Sequence, residues 1–209
     1  MYGELLISPE SAIRHTHAPS RRTFLLGLAA VAGLAATKAP ALVEAATPTV
    51  SAADMASHQR YMQLAIAQAK LNPGRPFGSV IVDDRTDGVV GKGVVGMSVN
   101  PMYHSEVVAM NDYIGHRGNQ GWANLTMYGT GEPYPMCMSA MIGAGLPSVV
   151  YASEMSFVRQ YVDLIYIRAK DVIAAAHPLY KSKLLLGGVL SEITDKMFAG
   201  RAKALVAPK

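Results

Sequence analysis

The chain has 209 residues, of which 50% are hydrophobic and 16% are charged, so it can bury a core and is not expected to be largely disordered. Its formal net charge is +4, and after the first 46 residues 15 basic and 12 acidic side chains remain. Because this balance is only mildly basic and includes no run of Lys or Arg, nucleic acid is not expected as an obligatory partner.

The first 46 residues have the pattern of a targeting segment. Arg21 and Arg22 stand directly before the apolar run 24–36, which is shorter than the roughly 20 residues that a membrane span needs. Small residues around Val43-Glu44-Ala45 offer a cleavage site. The segment resembles a twin-arginine signal peptide, which implies that residues 1–46 are removed, that the mature protein is periplasmic or secreted, and that no stable membrane insertion remains. An uncleaved anchor helix is the alternative.

A short linker, 47–53, leads into a predicted domain over residues 54–209. Ser51 or Asp54 can cap the first helix, 55–71, whose apolar residues share one face. The other predicted elements, in chain order, are strand 77–82, turn 83–88, strand 89–97, helix 104–114, strand 124–129, helix 136–142, strand 148–152, strand 164–167, helix 171–176 and a final helix from 191 to about 200. The first two strands are expected to pair as a hairpin, and the last strand of the sheet is expected at 164–167. Strands that alternate with helices predict an α/β layered domain.

Two segments contain the side chains best suited to metal binding and proton transfer, and each lies at the start of a predicted helix. The first is His104-Ser105-Glu106, and the second is the stretch 132–137, Glu-Pro-Tyr-Pro-Met-Cys. H-x-E followed by P-C-x-x-C is the signature of the zinc deaminases. Pro133 and Cys137 stand at the proline and the second cysteine of that signature, whereas Tyr134 stands at the first cysteine.

The sequence around these segments matches the same family in order. The matching stretches are 76–83 (PFGSVIVD), Pro101 three residues before His104, 125–133 (LTMYGTGEP), 138–141, 149–151 and 187–190. Across about residues 55–200 the chain therefore resembles the zinc-dependent cytidine/deoxycytidylate deaminase-like superfamily, in its guanine deaminase and tRNA adenosine deaminase branch. The resemblance implies a three-layer α/β/α sandwich around a mixed five-stranded sheet, and a homodimer.

The resemblance also implies roles for three residues. His104 and Cys137 would be ligands of Zn²⁺, and Glu106 would be the catalytic residue that moves a proton from water to the ring and to the leaving ammonia. Zinc suits this reaction because it lowers the pKa of a bound water to about 7. The position of both segments at helix N-termini favours negative charge on the ligands.

Tyr134 departs from the family pattern at the third metal ligand. Because a phenol ionises at a higher pH than a thiol and its side chain is longer than cysteine, Tyr134 is a doubtful ligand. It can instead fill the space that the metal site leaves open. Glu132 or a second water are other candidates for the third donor, whereas the thioether of Met136 is a poor one.

Phe77 and Asn100 are the candidate substrate-binding residues. Asn100 stands where the family has the aspartate of its D-P pair, and the preceding stretch 93–99 lacks the asparagine of the guanine branch. The polar contact to a base is therefore expected to be changed or missing.

Two functions remain open at this point. The first is zinc-dependent hydrolytic deamination of a small heterocyclic substrate, namely a nucleobase or a nucleoside-like molecule. The alternative is a catalytically inactive deaminase fold with a degenerate metal site, which binds a heterocycle or a partner protein. Metal content separates the two, because the enzyme needs zinc and the binding protein does not.

Overall fold

The computed structural model describes residues 50–206, and the side chains of residues 50–201. The predicted signal segment, 1–46, lies outside the described residues, as do residues 47–49 of the predicted linker. Within the described range, no helix combines the length and the apolar character needed to cross a bilayer.

Helix α1, Ala52–Ala69, begins two residues before the predicted start of the domain. Of the two candidate caps, Ser51 is the N-cap, because its hydroxyl accepts a hydrogen bond from the Asp54 N–H at 3.1 Å. The face of α1 that packs on the sheet consists of Tyr61, Met62, Ala65, Ile66 and Ala69.

The sheet has five strands in the order β2-β1-β3-β4-β5. The strands are β1 (Gly78–Asp83), β2 (Gly88–Val94), β3 (Leu125–Gly131), β4 (Ser148–Ser153) and β5 (Leu184–Leu186). Strand β1 pairs antiparallel with β2 and β3, while β3, β4 and β5 run parallel to one another. The predicted hairpin and the mixed five-stranded sheet are both confirmed.

Helices cover both faces of this sheet. They are α2 (Ser105–Arg117), α3 (Pro135–Ala144), α4 (Met155–Val158), α5 (Ala169–Ala175) and α6 (Ser191–Val206), with a single 3₁₀ turn at Trp122–Asn124. Two buried clusters lie on opposite faces: one packs α2, α3 and α5 on the sheet, and the other packs α1 and α6. Strands β1, β3 and β4 are buried along their whole length because they are covered on both sides. The predicted three-layer α/β/α sandwich is confirmed.

The prediction of a strand at 164–167 is wrong. That segment is irregular, and Ile165, Tyr166 and Ile167 are 58%, 45% and 45% exposed. Its run of apolar residues has the pattern of a buried strand. However, the Ile165 N–H donates to the hydroxyl of Tyr134 and not to the backbone of a neighbouring strand. The fifth strand is the three-residue β5, which is too short to give a clear sequence signal and pairs Leu185 with Val149 of β4.

A glycine on β2 sets the position of α2. A Cβ atom on Gly93 would lie 2.0 Å from the Ser105 carbonyl oxygen and 2.5 Å from the Ala109 nitrogen. The first turn of α2 can therefore rest directly on β2 only because residue 93 has no side chain. This close approach fixes where the side chains at the start of α2 emerge.

Candidate active site

Three side chains from two helix starts converge at one point. His104 is the N-cap of α2, Glu106 lies in the first turn of α2, and Cys137 lies in the first turn of α3. One imidazole nitrogen, one carboxylate oxygen and the thiol sulfur all lie within 4.8 Å of one another. Glu106 and Cys137 are buried, and His104 is half-buried. The structure thus brings together the three residues that the signature selects.

Two serines hold the carboxylate of Glu106. The Ser105 hydroxyl donates to Glu106 Oε2 at 3.1 Å, and the Ser79 hydroxyl of β1 donates to Ser105 Oγ at 2.8 Å. Both serines are buried, so the chain of hydrogen bonds fixes the position of the carboxylate. Sequence reasoning missed both residues. The available signal was Ser105 itself, which replaces the alanine of the family's D-P-x-x-H-A-E.

The thiol of Cys137 lies in an environment that disfavours thiolate. Burial raises the pKa of Cys137, and the charge of Glu106 and a hydrogen bond to it raise the pKa further. Backbone hydrogen bonds at the start of α3 oppose this shift but are weaker. A cation placed between the sulfur and the carboxylate would remove the conflict, because it would stabilise both negative charges.

Tyr134, at the position of the expected second thiolate, is the N-cap of α3 and turns towards other partners. Its ring packs against the imidazole of His104, with ring centroids 5.3 Å apart and planes tilted by 55°. Its hydroxyl accepts a hydrogen bond from the Ile165 N–H at 2.9 Å. The side chain therefore connects the site to the segment between α4 and α5.

Of the three convergent residues, His104 and Glu106 line a cavity of about 480 Å³, a size typical of small-molecule sites, and Cys137 lies beside them without lining it. Phe77 is on the cavity wall, where its ring packs on Phe198 with centroids 4.8 Å apart. Asn100 is not among the residues that line this cavity in the described part of the chain. Its Oδ1 accepts from the Met102 N–H at 2.9 Å, so its side chain shapes the turn before His104. Of the two candidate substrate-binding residues, the structure places Phe77 alone at the cavity.

The segment that contains these residues is similar to a known family. Residues 55–153 match the family model of the cytidine and deoxycytidylate deaminase zinc-binding region. The matched segment includes His104, Glu106, Tyr134 and Cys137.

Individual proteins are also similar to about half of this chain. The chain is 31% identical over 102 residues to a guanine deaminase of Bacillus subtilis, covering 47% of this chain and 65% of the relative. It is 33% identical over 103 residues to a tRNA-specific adenosine deaminase of Streptococcus pyogenes, covering 46% of this chain and 64% of the relative. The chain thus spans slightly less than two thirds of the length of these curated relatives.

A solved structure of guanine deaminase from Nitrosomonas europaea has the same fold. It superposes with a TM-score of 0.59 at 18% identity, and the match covers 82% of this chain and 97% of the other. At that identity the likeness shows the fold alone.

The donors present suit zinc in type. Imidazole nitrogen, thiolate sulfur and carboxylate oxygen are all zinc ligands in proteins, and a catalytic zinc keeps three protein ligands and one open position. Here His104 and Cys137 would hold the ion, and Glu106 is a further donor beside them. The oxygen of Tyr134, at the position of the missing thiolate, accepts a hydrogen bond from the Ile165 N–H.

Glu132, which the sequence leaves as one candidate for the third metal donor, forms hydrogen bonds to other groups. Its carboxylate accepts from Arg168 Nε at 2.8 and 2.6 Å, and from the N–H groups of Met155 and Ala169 at 2.9 Å each. Arg168 also pairs with Glu154, and its hydrogen bonds to Glu132 raise the pKa of Arg168. The buried carboxylate thereby joins the end of β3 to the starts of α4 and α5.

A substitution of Glu132 tests this structural role. We expect Glu132→Gln to lower the free energy of unfolding in urea by about 3 kcal/mol, because it leaves the charge of Arg168 poorly compensated in a buried place. The matched control is Glu154→Gln, whose side chain is 41% exposed and whose loss is expected to cost less than about 1 kcal/mol. An unchanged unfolding energy for Glu132→Gln together with a loss of bound zinc would instead make Glu132 a metal ligand.

Proposed function

We propose that the protein is a zinc-dependent hydrolytic deaminase of a nucleobase or nucleoside-like small molecule. The observation that supports this most is the convergence of His104, Glu106 and Cys137, of which His104 and Glu106 line a cavity large enough for a heterocycle. The guanine deaminase and adenosine deaminase relatives support a purine-like ring with an exocyclic amine.

The reaction replaces an amine on a ring carbon with an oxygen. Water adds to the amidine carbon, the bond from that carbon to the amine breaks, and ammonia leaves as the ring gains a carbonyl. Zinc, when bound, supplies the positive charge that allows water to ionise near neutral pH. Glu106 accepts the proton that water gives up, passes it to the ring nitrogen, and returns a proton to the leaving amine.

The groups around Glu106 hold its carboxylate in place. The Ser105 hydroxyl donates to Oε2 of Glu106, and the thiol of Cys137 hydrogen-bonds to the same carboxylate. The ring of Phe77 offers an apolar surface for a planar substrate, and that of Tyr134 shields the imidazole from solvent. An exclusion of water around the reacting atoms strengthens the electrostatic interactions among them.

Metal analysis and an ammonia assay test the proposal together. Purified protein should contain zinc, and it should release ammonia from at least one member of a panel of guanine, adenosine, cytosine and cytidine. Removal of the metal with a chelator should stop the release, and added zinc should restore it. Protein that holds no zinc when supplied with it, and releases no ammonia from the panel, would support the inactive binding protein.

Export and dimer formation belong to the same proposal. The twin-arginine pattern at Arg21 and Arg22 supports transport of a folded protein, which suits a domain that must take up its metal first. A mature chain that begins near residue 47 in the periplasmic fraction, and that stays in the cytoplasm after substitution of both arginines by lysine, is the expected result. Sedimentation of the mature protein tests the homodimer.

A further inference from the structure

Three arginines from distant parts of the chain line the same cavity as His104 and Glu106. They are Arg75, which follows α1, Arg159, which follows α4, and Arg201, on α6. Arg201 connects the other two segments, because its Nε donates to the Gly74 carbonyl at 3.0 Å and its terminal nitrogen donates to the Tyr161 carbonyl. All three arginines therefore line one cavity.

The positive charges of this arginine rim (Arg75, Arg159, Arg201) have neutral partners. Arg75 donates to the Met97 sulfur at 3.0 Å, Arg159 lies over the Tyr166 ring at 4.4 Å, and Arg201 donates to the two carbonyls. Among the described residues, none of the three arginines forms an ion pair with a carboxylate.

The acidic residues of the cavity do not cancel this charge. Asp163 lines the cavity but makes no ion pair with the rim within the described range. Glu132 is neutralised by Arg168, and Glu106 is buried beside Cys137. Arg75 and Arg159 are exposed and Arg201 is half-buried, so a ligand can reach the guanidinium groups from solvent.

We propose that the arginine rim is a subsite for an oxyanion, and that the substrate carries a phosphate or a carboxylate on its heterocycle. Guanidinium groups bind such groups through paired, charge-assisted hydrogen bonds, and three arginines without an ion-pair partner along one cavity favour an anionic ligand there. The inference rests on the proposed function for the position of the heterocycle, which would lie between Phe77 and the convergent residues. A neutral base or nucleoside would leave the rim unused.

Pairs of ligands that differ only in the anion test the subsite. Binding to zinc-loaded, full-length mature protein is measured by calorimetry for CMP against cytidine, AMP against adenosine, and orotate against uracil. We expect the anionic member of at least one pair to bind about tenfold or more tightly than its neutral partner. A preference within the nucleotide pairs assigns the rim to phosphate, and a preference within the orotate pair assigns it to carboxylate.

Substitutions then link the preference to the rim. Arg75→Gln and Arg159→Gln should each reduce the ratio of the two affinities by about tenfold, and adding salt should reduce it in the wild-type protein. The control is Arg117→Gln, an exposed arginine at the far end of α2 that does not line this cavity, which should leave the ratio unchanged. Arg201 is left in place because its hydrogen bonds join two segments of the fold.

The two proposals fail in different ways. If the anionic ligands bind with the expected preference but no ammonia is released, the subsite stands and the deaminase proposal fails. If neutral and anionic partners bind equally, or if the rim variants and Arg117→Gln change the ratio alike, the subsite is wrong even where ammonia is released.

Discussion

Replacing Glu106 with glutamine is expected to slow ammonia release by about 10²- to 10⁴-fold while the zinc content stays at the wild-type level. The amide has the same size as the carboxylate, and its oxygen can still accept from the Ser105 hydroxyl, so the geometry of the site should persist. It cannot accept a proton from water at neutral pH, and the step that depends on that transfer is lost.

The control for this experiment is Glu192→Gln, an exposed glutamate in the first turn of α6, which should leave both measurements unchanged. Zinc and ammonia release should be measured on the same samples. Because Glu106 lies within 4.8 Å of the donors of His104 and Cys137, a joint loss of zinc and activity would make it a metal ligand. Undiminished ammonia release would remove Glu106 from the chemistry altogether.

The parts of the fold that follow local rules were predictable from the sequence. The hairpin of β1 and β2 follows from two apolar runs around a turn cluster, and α1 begins at a capping serine with a regular apolar face. The convergence of His104, Glu106 and Cys137 was predictable for a different reason. The family signature fixes their spacing to the starts of two helices, and the fold then brings both starts to one point.

Contacts between residues far apart in the chain could not be predicted in this way. The hydroxyl of Tyr134 meets the backbone of Ile165, 31 residues later, and nothing in the local pattern of either segment indicates the pairing. The same holds for the serine chain from β1 to Glu106 and for the arginine rim. The misplaced strand at 164–167 has this origin, since hydrophobic content alone cannot say whether a segment pairs with a strand or with a side chain.

Replacing Tyr134 with cysteine is expected to tighten zinc binding by at least about 10- to 100-fold. Loss of an indirect partner of a metal ligand commonly weakens affinity by that factor, so the gain of a direct thiolate ligand should be no smaller. The zinc-free variant should be about 1–3 kcal/mol less stable, because it loses the ring that packs on His104 and the hydrogen bond to Ile165. Affinity is measured by competition with a chelator of known strength, and stability by urea unfolding with the metal removed.

Tyr134→Phe distinguishes a role in metal binding from a role in holding the segment between α4 and α5, because it keeps the aromatic ring and removes only the hydroxyl. Its zinc affinity should equal that of the wild type, while the amide of Ile165 should exchange its hydrogen faster once its acceptor is gone. A fall in zinc affinity in Tyr134→Phe would mean that the phenol oxygen ligates the ion and releases Ile165 when zinc binds. If Tyr134→Phe binds zinc as tightly as the wild type and Tyr134→Cys binds it more tightly, then Tyr134 forms part of the cavity wall and does not ligate the metal, whereas a cysteine at the same position does.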